Sequence, residues 1–223
     1  NLIERSQFNK RRRKLFLFLE EVRIKLASLF FKFENYYIVD SMPLEICKFA
    51  RHNRIKICKK DFETAPSKGF CASQNTWFYG YKFHGVCSIN GIFHSLDITK
   101  AEVHDINFLK NIKNQMADCV LLGDRGYLSE TVQLDLFQTV NIKLETPKRT
   151  NQKDYKPQPY IFRKSRKRIE TLFSQLCDQF KIRNNYAKTF EGFKTRILAK
   201  ITALTLVQYI NKFIFDRPIN NIK

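Results

Sequence analysis

Two short apolar runs, each ending in an aspartate, constrain this chain more than any other feature. Tyr36-Tyr37-Ile38-Val39-Asp40 and Cys119-Val120-Leu121-Leu122-Gly123-Asp124 are short, bounded by polar segments, and do not alternate polar with apolar residues. Such runs are strands buried on both faces, so they belong inside a sheet covered by helices. Each would end by delivering a carboxylate to the edge of that sheet.

The rest of the chain supplies the covering elements. Residues 1–33 read as helix: the basic cluster Lys10-Arg11-Arg12-Arg13-Lys14 leads into Leu15, Leu19, Val22, Leu26 and Leu29, spaced at three and four. Ser41 to Asn75 is a polar and basic excursion, too long for a tight connection and therefore a candidate for function. Thr76–Ile89 and Ile92–Leu96 read as strands joined at Asn90-Gly91, a pair that tolerates the positive φ of a type I′ turn. In that hairpin His94 falls across from Cys87. A short helix near Asp105–Lys113, the second aspartate-ending strand, a helix near Ser129–Phe137 and a strand at Val140–Glu145 follow. After a loop from Thr146 to Pro159 rich in Pro, Lys and Arg come two helices. One carries Ile169, Leu172, Phe173, Leu176 and Phe180 in a stripe, and the other runs from about Phe193 to Phe215. Strand, antiparallel hairpin, then alternating helix and strand is the order of the ribonuclease-H-like α/β fold, a mixed five-stranded sheet flanked by helices.

In that topology the first and fourth strands lie parallel and adjacent, so Asp40 and Asp124 meet. A third carboxylate can come from the closing helices. Glu170 sits beside Ile169 at the edge of the apolar stripe, with Arg166 four residues earlier on the same face. Three gathered carboxylates repel one another and raise each other's pKa. They make chemical sense around divalent cations: Mg²⁺ takes oxygen ligands, and two ions about 4 Å apart can clamp both oxygens of an in-line phosphoryl displacement. Each residue also has a plainer reading. Asp40 and Asp124 suit turns, and Glu170 suits an exposed helix position paired with Lys167.

Charge points to the partner. Forty Lys and Arg against 21 Asp and Glu give a net charge of +19, which suits a polyanion such as nucleic acid. The basic residues are spread along the chain rather than gathered on one amphipathic helix, and the longest uncharged apolar stretch, Ile201–Asn211, is about half a membrane span; no membrane partner is expected. Six cysteines without paired spacing suggest free thiols in a reducing cytosol. Cys47, His52, Cys58 and Cys71 have the wrong spacing for a structural zinc site.

Ile38-Val39-Asp40-Ser41, Tyr79-Gly80-Tyr81-Lys82-Phe83-His84, Gly123-Asp124-Arg125-Gly126-Tyr127 and Arg166 with Glu170 resemble the DDE transposases of bacterial insertion sequences, most nearly the insertion sequence 982 family. The resemblance runs from about residue 36 to 215. It implies that Asp40 bridges two Mg²⁺ ions (Mn²⁺ substituting), that Asp124 and Glu170 each bind one, and that Arg166 positions phosphate. Water and then the freed DNA 3′-hydroxyl are the implied nucleophiles, acting in a cytoplasmic, nucleoid-associated homodimer on double-stranded transposon ends and target. Arg166 matches the Arg of a Tyr-x2-Arg-x3-Glu-x6-Lys signature of related transposases; Arg163 stands at its Tyr position and Cys177 at its Lys position. Residues 1–33 are then expected to be a remnant of an amino-terminal helical DNA-binding region, and 34–218 the catalytic domain. The sequence starts without Met, so the end-recognition part is expected to be missing. Expected DNA contacts are Arg11, Arg12, Arg13, Lys68, Lys82, Arg125, Lys148, Arg149, Arg163 and Lys167, with Lys10, Lys14, Arg51, Arg54, Lys59, Lys60, Lys153, Lys164, Arg166 and Arg168 as further phosphate contacts.

Rival chemistries fit less well. A tyrosine recombinase needs a Tyr ringed by Arg and His, and a rolling-circle enzyme needs two His one residue apart; His84, His94 and His104 are each ten apart. A stand-alone nuclease or junction resolvase on the same fold uses the same three carboxylates and stays open. So does a decayed, non-catalytic DNA-binding remnant.

Overall fold

A computed structural model describes residues 3–31, 34–148 and 155–222. Arg149 and Lys153, both expected DNA contacts, lie outside the described residues. Two helices, α1 (Arg5–Lys14) and α2 (Phe16–Ser28), precede β1 (Tyr36–Cys47), β2 (Ser67–Cys71), β3 (Thr76–Ser88) and β4 (Phe93–Lys100). Then come α3 (Ile106–Ile112), β5 (Cys119–Leu122), α4 (Glu130–Val140), β6 (Ile142–Glu145), α5 (Tyr160–Asp178) and α6 (Phe190–Tyr209), which runs into a π-helical turn at Ile210–Ile214.

The sheet runs β4-β3-β1-β5-β6, with β1–β3 and β3–β4 antiparallel and β1–β5 and β5–β6 parallel. That is the ribonuclease-H-like strand order expected from the sequence. The sheet has six strands, not five. The extra strand, β2, arises inside the long polar excursion and pairs with Thr76–Gly80, the part of β3 that β4 leaves free. The excursion also shortens from its other end, because β1 continues past Asp40 to Cys47 along β3.

Central strands bury both faces, which is why their apolar runs are continuous. Ile38 and Leu122 face α5 and α6 in one core, together with Leu172, Leu176, Phe193, Ile197 and Ile201. Tyr37, Val39 and Leu121 face α3 and α4 in the other, with Phe108, Leu109 and Leu136. Full burial of each such side chain contributes on the order of 1.5–3 kcal/mol. Local signals set the boundaries of the covering helices. Ser129 accepts from Val132 N–H at the start of α4, Asn141 closes it in the left-handed conformation (φ 53°), and Thr189 accepts from Gly192 N–H to start α6. By length and composition the helix from Phe190 to Ile214 is apolar enough to cross a membrane, but much of it is packed against α2 and the core.

Two local expectations change. The hairpin at Asn90-Gly91 is not type I′: Gly91 alone takes a positive φ (89°), and Gly91 N–H donates to Ser88 O at 2.9 Å while Ser88 N–H donates to Ile92 O. This is a three-residue loop, Ile89-Asn90-Gly91, closed by glycine in the left-handed region. The resulting register places Phe93, not His94, opposite Cys87. The helix expected over residues 1–33 also breaks at Leu15, and its apolar stripe packs only in part: Leu19, Val22 and Leu26 are half-buried, Leu15 and Leu29 are exposed, and the buried residues of α2 are Arg23 and Ala27. Small Ala27 suits close packing, with α6 as α2's main contact, and Arg23 donates to Phe93 O (3.0 Å) and His94 O (3.2 Å) of β4 while pairing with Glu20 (2.6 Å). Arg23 thus ties α2 to β4 through two backbone carbonyls.

Candidate active site

Sheet register brings the first two carboxylates together. The last parallel pair between β1 and β5 is Ile38↔Leu122. Asp40 and Asp124 each lie two residues beyond it, where the strands part. A strand turns the same side to the same face every second residue, so Asp40 follows Ile38 toward α5. On α5, Arg166, Glu170, Phe173, Ser174 and Cys177 repeat at helical spacing and line one cleft of about 970 Å³ with Asp40 and Asp124. The stripe lies beside the buried Ile169, Leu172 and Leu176 that fix the helix to the sheet.

Asp40 accepts a hydrogen bond from Ser41 N–H at 2.8 Å, and Asp124 accepts one from Gly126 N–H at 2.8 Å. The second bond makes Asp124 the cap of a helical turn at Arg125–Tyr127, so its carboxylate is oriented by its own loop. A Cβ on Gly126 would come within 3.0 Å of the Asp124 Oδ1 atom, which favours glycine there. Burial pushes the Asp40 carboxyl up to about 7; Ser41 N–H and Arg166 oppose this, while the charges of Asp124 and Glu170 add to it. Among the described residues, none of Asp40, Asp124 and Glu170 forms an ion pair. Glu170 is exposed and is not paired with Lys167.

The donor set, carboxylate oxygens at a partly buried position without a paired cation, fits a hard divalent ion. Among the described residues no three His, Cys, Asp or Glu side chains converge closely enough to hold one ion, so closing a three-carboxylate site needs side-chain rearrangement. The six cysteines are free thiols.

The expected DNA contacts divide by position. Lys82 and Arg125 line the main cleft. Lys148, Arg163, Arg125 and Arg166 line a second pocket of about 430 Å³ that shares Asp124 with it. Arg11, Arg12, Arg13, Lys68 and Lys167 line neither. Lys82 is less free than its sequence suggests: its Nζ donates to Val103 O at 2.9 Å and pairs with Asp105 at 3.0 Å. Asp105 and Asp178 thus line the cleft beside the three expected carboxylates, and the sequence showed Asp105 only as a helix start. Arg183, also in the cleft, carried no motif. His84, part of the Tyr-x-Tyr-Lys-x-His stretch, is fully buried, stacks on Phe108 at 5.1 Å and bonds to Thr99 at 2.8 Å. Burial pushes it down to about 4, so it packs as a neutral ring rather than titrating near neutrality.

A family model described as a transposase DDE domain matches residues 32–206. The chain belongs to the DDE transposase family. No curated protein matches it. Among solved structures, the Mos1 transposase paired-end complex with left transposon end is similar at 14% identity over 93% of this chain and 62% of that one, with a TM-score of 0.29. The catalytic domain of Mos1 mariner transposase is similar at 14% identity over 93% and 94%, with a TM-score of 0.27. The chain therefore spans less than two thirds of the first of these, and the fold assignment for this DDE domain rests on its own strand order.

Proposed function

We propose that this DDE domain is the catalytic part of a bacterial insertion-sequence transposase of the insertion sequence 982 kind, cutting DNA at transposon ends and joining the freed 3′-hydroxyl to target DNA. Asp40, Asp124 and Glu170 are the catalytic carboxylates and the ligands for two Mg²⁺ ions, with Mn²⁺ as substitute. Arg166 is the phosphate-positioning residue. The observation that carries this reading is the cleft itself: three carboxylates from three distant segments, without ion-pair partners, share walls with Arg125, Arg166 and Arg183. We place the protein in the bacterial cytoplasm, as a homodimer on double-stranded DNA, with residues 1–33 a helical region that contacts DNA and 34–218 the catalytic domain.

The chain's own residues do three things in this reading. Asp40, fixed by Ser41 N–H, and Asp124, fixed by Gly126 N–H, present oxygens from adjacent strand ends. Arg125 and Arg166 offer fixed positive charge to the phosphate under attack, which matters most as charge builds on its oxygens. Lys148 and Arg163, in the adjoining pocket, hold the duplex by its backbone. Bound divalent ions would supply the activation of water or the 3′-hydroxyl and the neutralisation of the leaving oxygen. In the first step water adds to phosphorus and the 3′-oxygen leaves with a proton; in the second that 3′-hydroxyl adds to a target phosphodiester and a new 3′-oxygen leaves.

The test is a cleavage and joining assay with Mg²⁺. Asp124→Asn and Glu170→Gln should lose both nicking and joining while keeping DNA affinity. Asp135→Asn should retain them, since Asp135 pairs with Lys113 away from the cleft. Nicks without joined products would favour a nuclease on the same fold, and ordinary activity in Asp124→Asn would overturn the assignment.

A further inference from the structure

The long excursion between β1 and β3 builds an aromatic surface beside the carboxylate cleft. Phe70 on β2 and Trp77 on β3 are opposite one another across the two strands, with ring centroids 5.3 Å apart, and both are exposed (45% and 59%). From Trp77 the rings continue through the half-buried Phe49 (6.5 Å) to the half-buried His52, stacked on Phe49 at 5.0 Å and 19°, and end on the buried Tyr79 (5.7 Å). On the opposite side of the same two strands Gly69 packs beneath Ala101, and Phe78 is buried at the wall of the carboxylate cleft. The exposed rings therefore lie on one face, and the hairpin's core does not need them to be there.

Charge surrounds this row. Between Lys48 and Cys71 there are seven Lys and Arg against two Asp and Glu. None of those seven forms an ion pair among the described residues. Lys59 Nζ stands 5.4 Å over the Tyr79 ring, and Lys68 is opposite Tyr79 in the strand register. The row is also continuous with the catalytic cleft, whose lining includes Phe70, Cys71, Ala72, Ser73 and Gln74 as well as Asp40.

Exposed π-faces set among unpaired cations match the needs of unpaired bases on a phosphate chain. A duplex cannot use them, because its bases already cover one another's faces. A hydrophobic protein partner would not call for so many free cations at the rim. We propose that the β2–β3 hairpin, with the Phe49–His52 turn, is a stacking platform that holds unpaired bases of a single DNA strand where it leaves the carboxylate cleft. Trp77 and Phe70 are the stacking residues, and Lys59, Lys68, Arg51 and Arg54 follow the phosphates. This goes beyond the cleavage chemistry and can hold or fail independently of it.

Trp77 is the single tryptophan of the chain, so intrinsic emission reports this surface directly. The full 223-residue protein is titrated with a thymidine homo-oligomer, and separately with a hairpin duplex and a uridine homo-oligomer, all in EDTA so that no metal-dependent step contributes. Saturable quenching by the thymidine strand, with little quenching by the duplex, is the expected result. Trp77→Leu, which keeps apolar bulk but removes the π-face, should weaken single-strand affinity on the order of tenfold and leave duplex affinity unchanged. Trp77→Phe should restore most of that loss, measured by anisotropy of a labelled oligomer. Equal quenching by duplex, equal loss of both affinities in Trp77→Leu, or no effect on either would overturn the proposal. Tighter binding of the uridine strand would overturn its assignment to DNA. Loss of cleavage in the carboxylate variants, measured apart from these titrations, leaves each of these outcomes readable.

Discussion

Removing the charge at Asp40 should stabilise the metal-free protein, and only at high pH. The carboxyl rises from 3.8 to about 7 on folding, chiefly because burial disfavours its ionised form. A shift of that size costs the ionised state about 4 kcal/mol, at about 1.4 kcal/mol for each tenfold change in proton affinity. The side chain keeps some contact with cleft water, so about 2–3 kcal/mol is expected. Below pH 4 the carboxyl is protonated in both folded and unfolded chains, and no penalty exists. Between pH 4 and 7 the folded chain binds more protons than the unfolded one, so stability falls as pH rises; above 7 the loss is complete. Asp40→Asn has no such slope. Urea unfolding in EDTA should give equal midpoints for the two proteins near pH 4 and a more stable variant near pH 8. Mg²⁺ added at pH 8 should raise the wild-type midpoint more than the variant's, because only the wild type offers the charged ligand. A variant equally or less stable at pH 8, with no pH-dependent difference, would refute the reasoning that burial strains this carboxylate.

Three further outcomes follow from the geometry. Arg23→Met should destabilise the domain by about 2–4 kcal/mol, because it removes the donors to Phe93 O and His94 O and leaves buried carbonyls unpaired; urea unfolding measures it, and a loss below 1 kcal/mol would argue that water replaces the guanidinium. Gly91→Ala should cost about 1–2 kcal/mol in the same assay, since alanine is strained at φ 89° and its Cβ would meet Arg168 at 2.9 Å. Duplex affinity should fall steeply with salt, with a log–log slope of about −0.9 for each phosphate neutralised, and a Lys148→Ala/Arg163→Ala double variant should flatten that slope by about 2. A curve unchanged by the double substitution would remove the second pocket from the DNA path.

The amino-acid sequence by itself determined the order of the elements that carry the three carboxylates, and with it the fold class. Apolar runs at Tyr36–Val39 and Cys119–Leu122 are short and bounded by polar segments, as buried strands are, and the stripe on α5 has the helical period. Asp40, Asp124 and Glu170 were legible as candidates because they stand at the ends or edges of those patterns. Three things were decided only in the tertiary structure. A run buried on both faces carries no sign of which face is which, so the pairing Ile38↔Leu122 alone turns Asp40 toward α5 rather than α3 and α4. Arg23 belongs to no motif of the sequence, and it becomes an anchor only because β4 brings two carbonyls to it from about seventy residues away. The strand β2 and its exposed rings were invisible in a polar, basic segment, because a short edge strand is specified by the unpaired length of β3 beside it rather than by its own pattern.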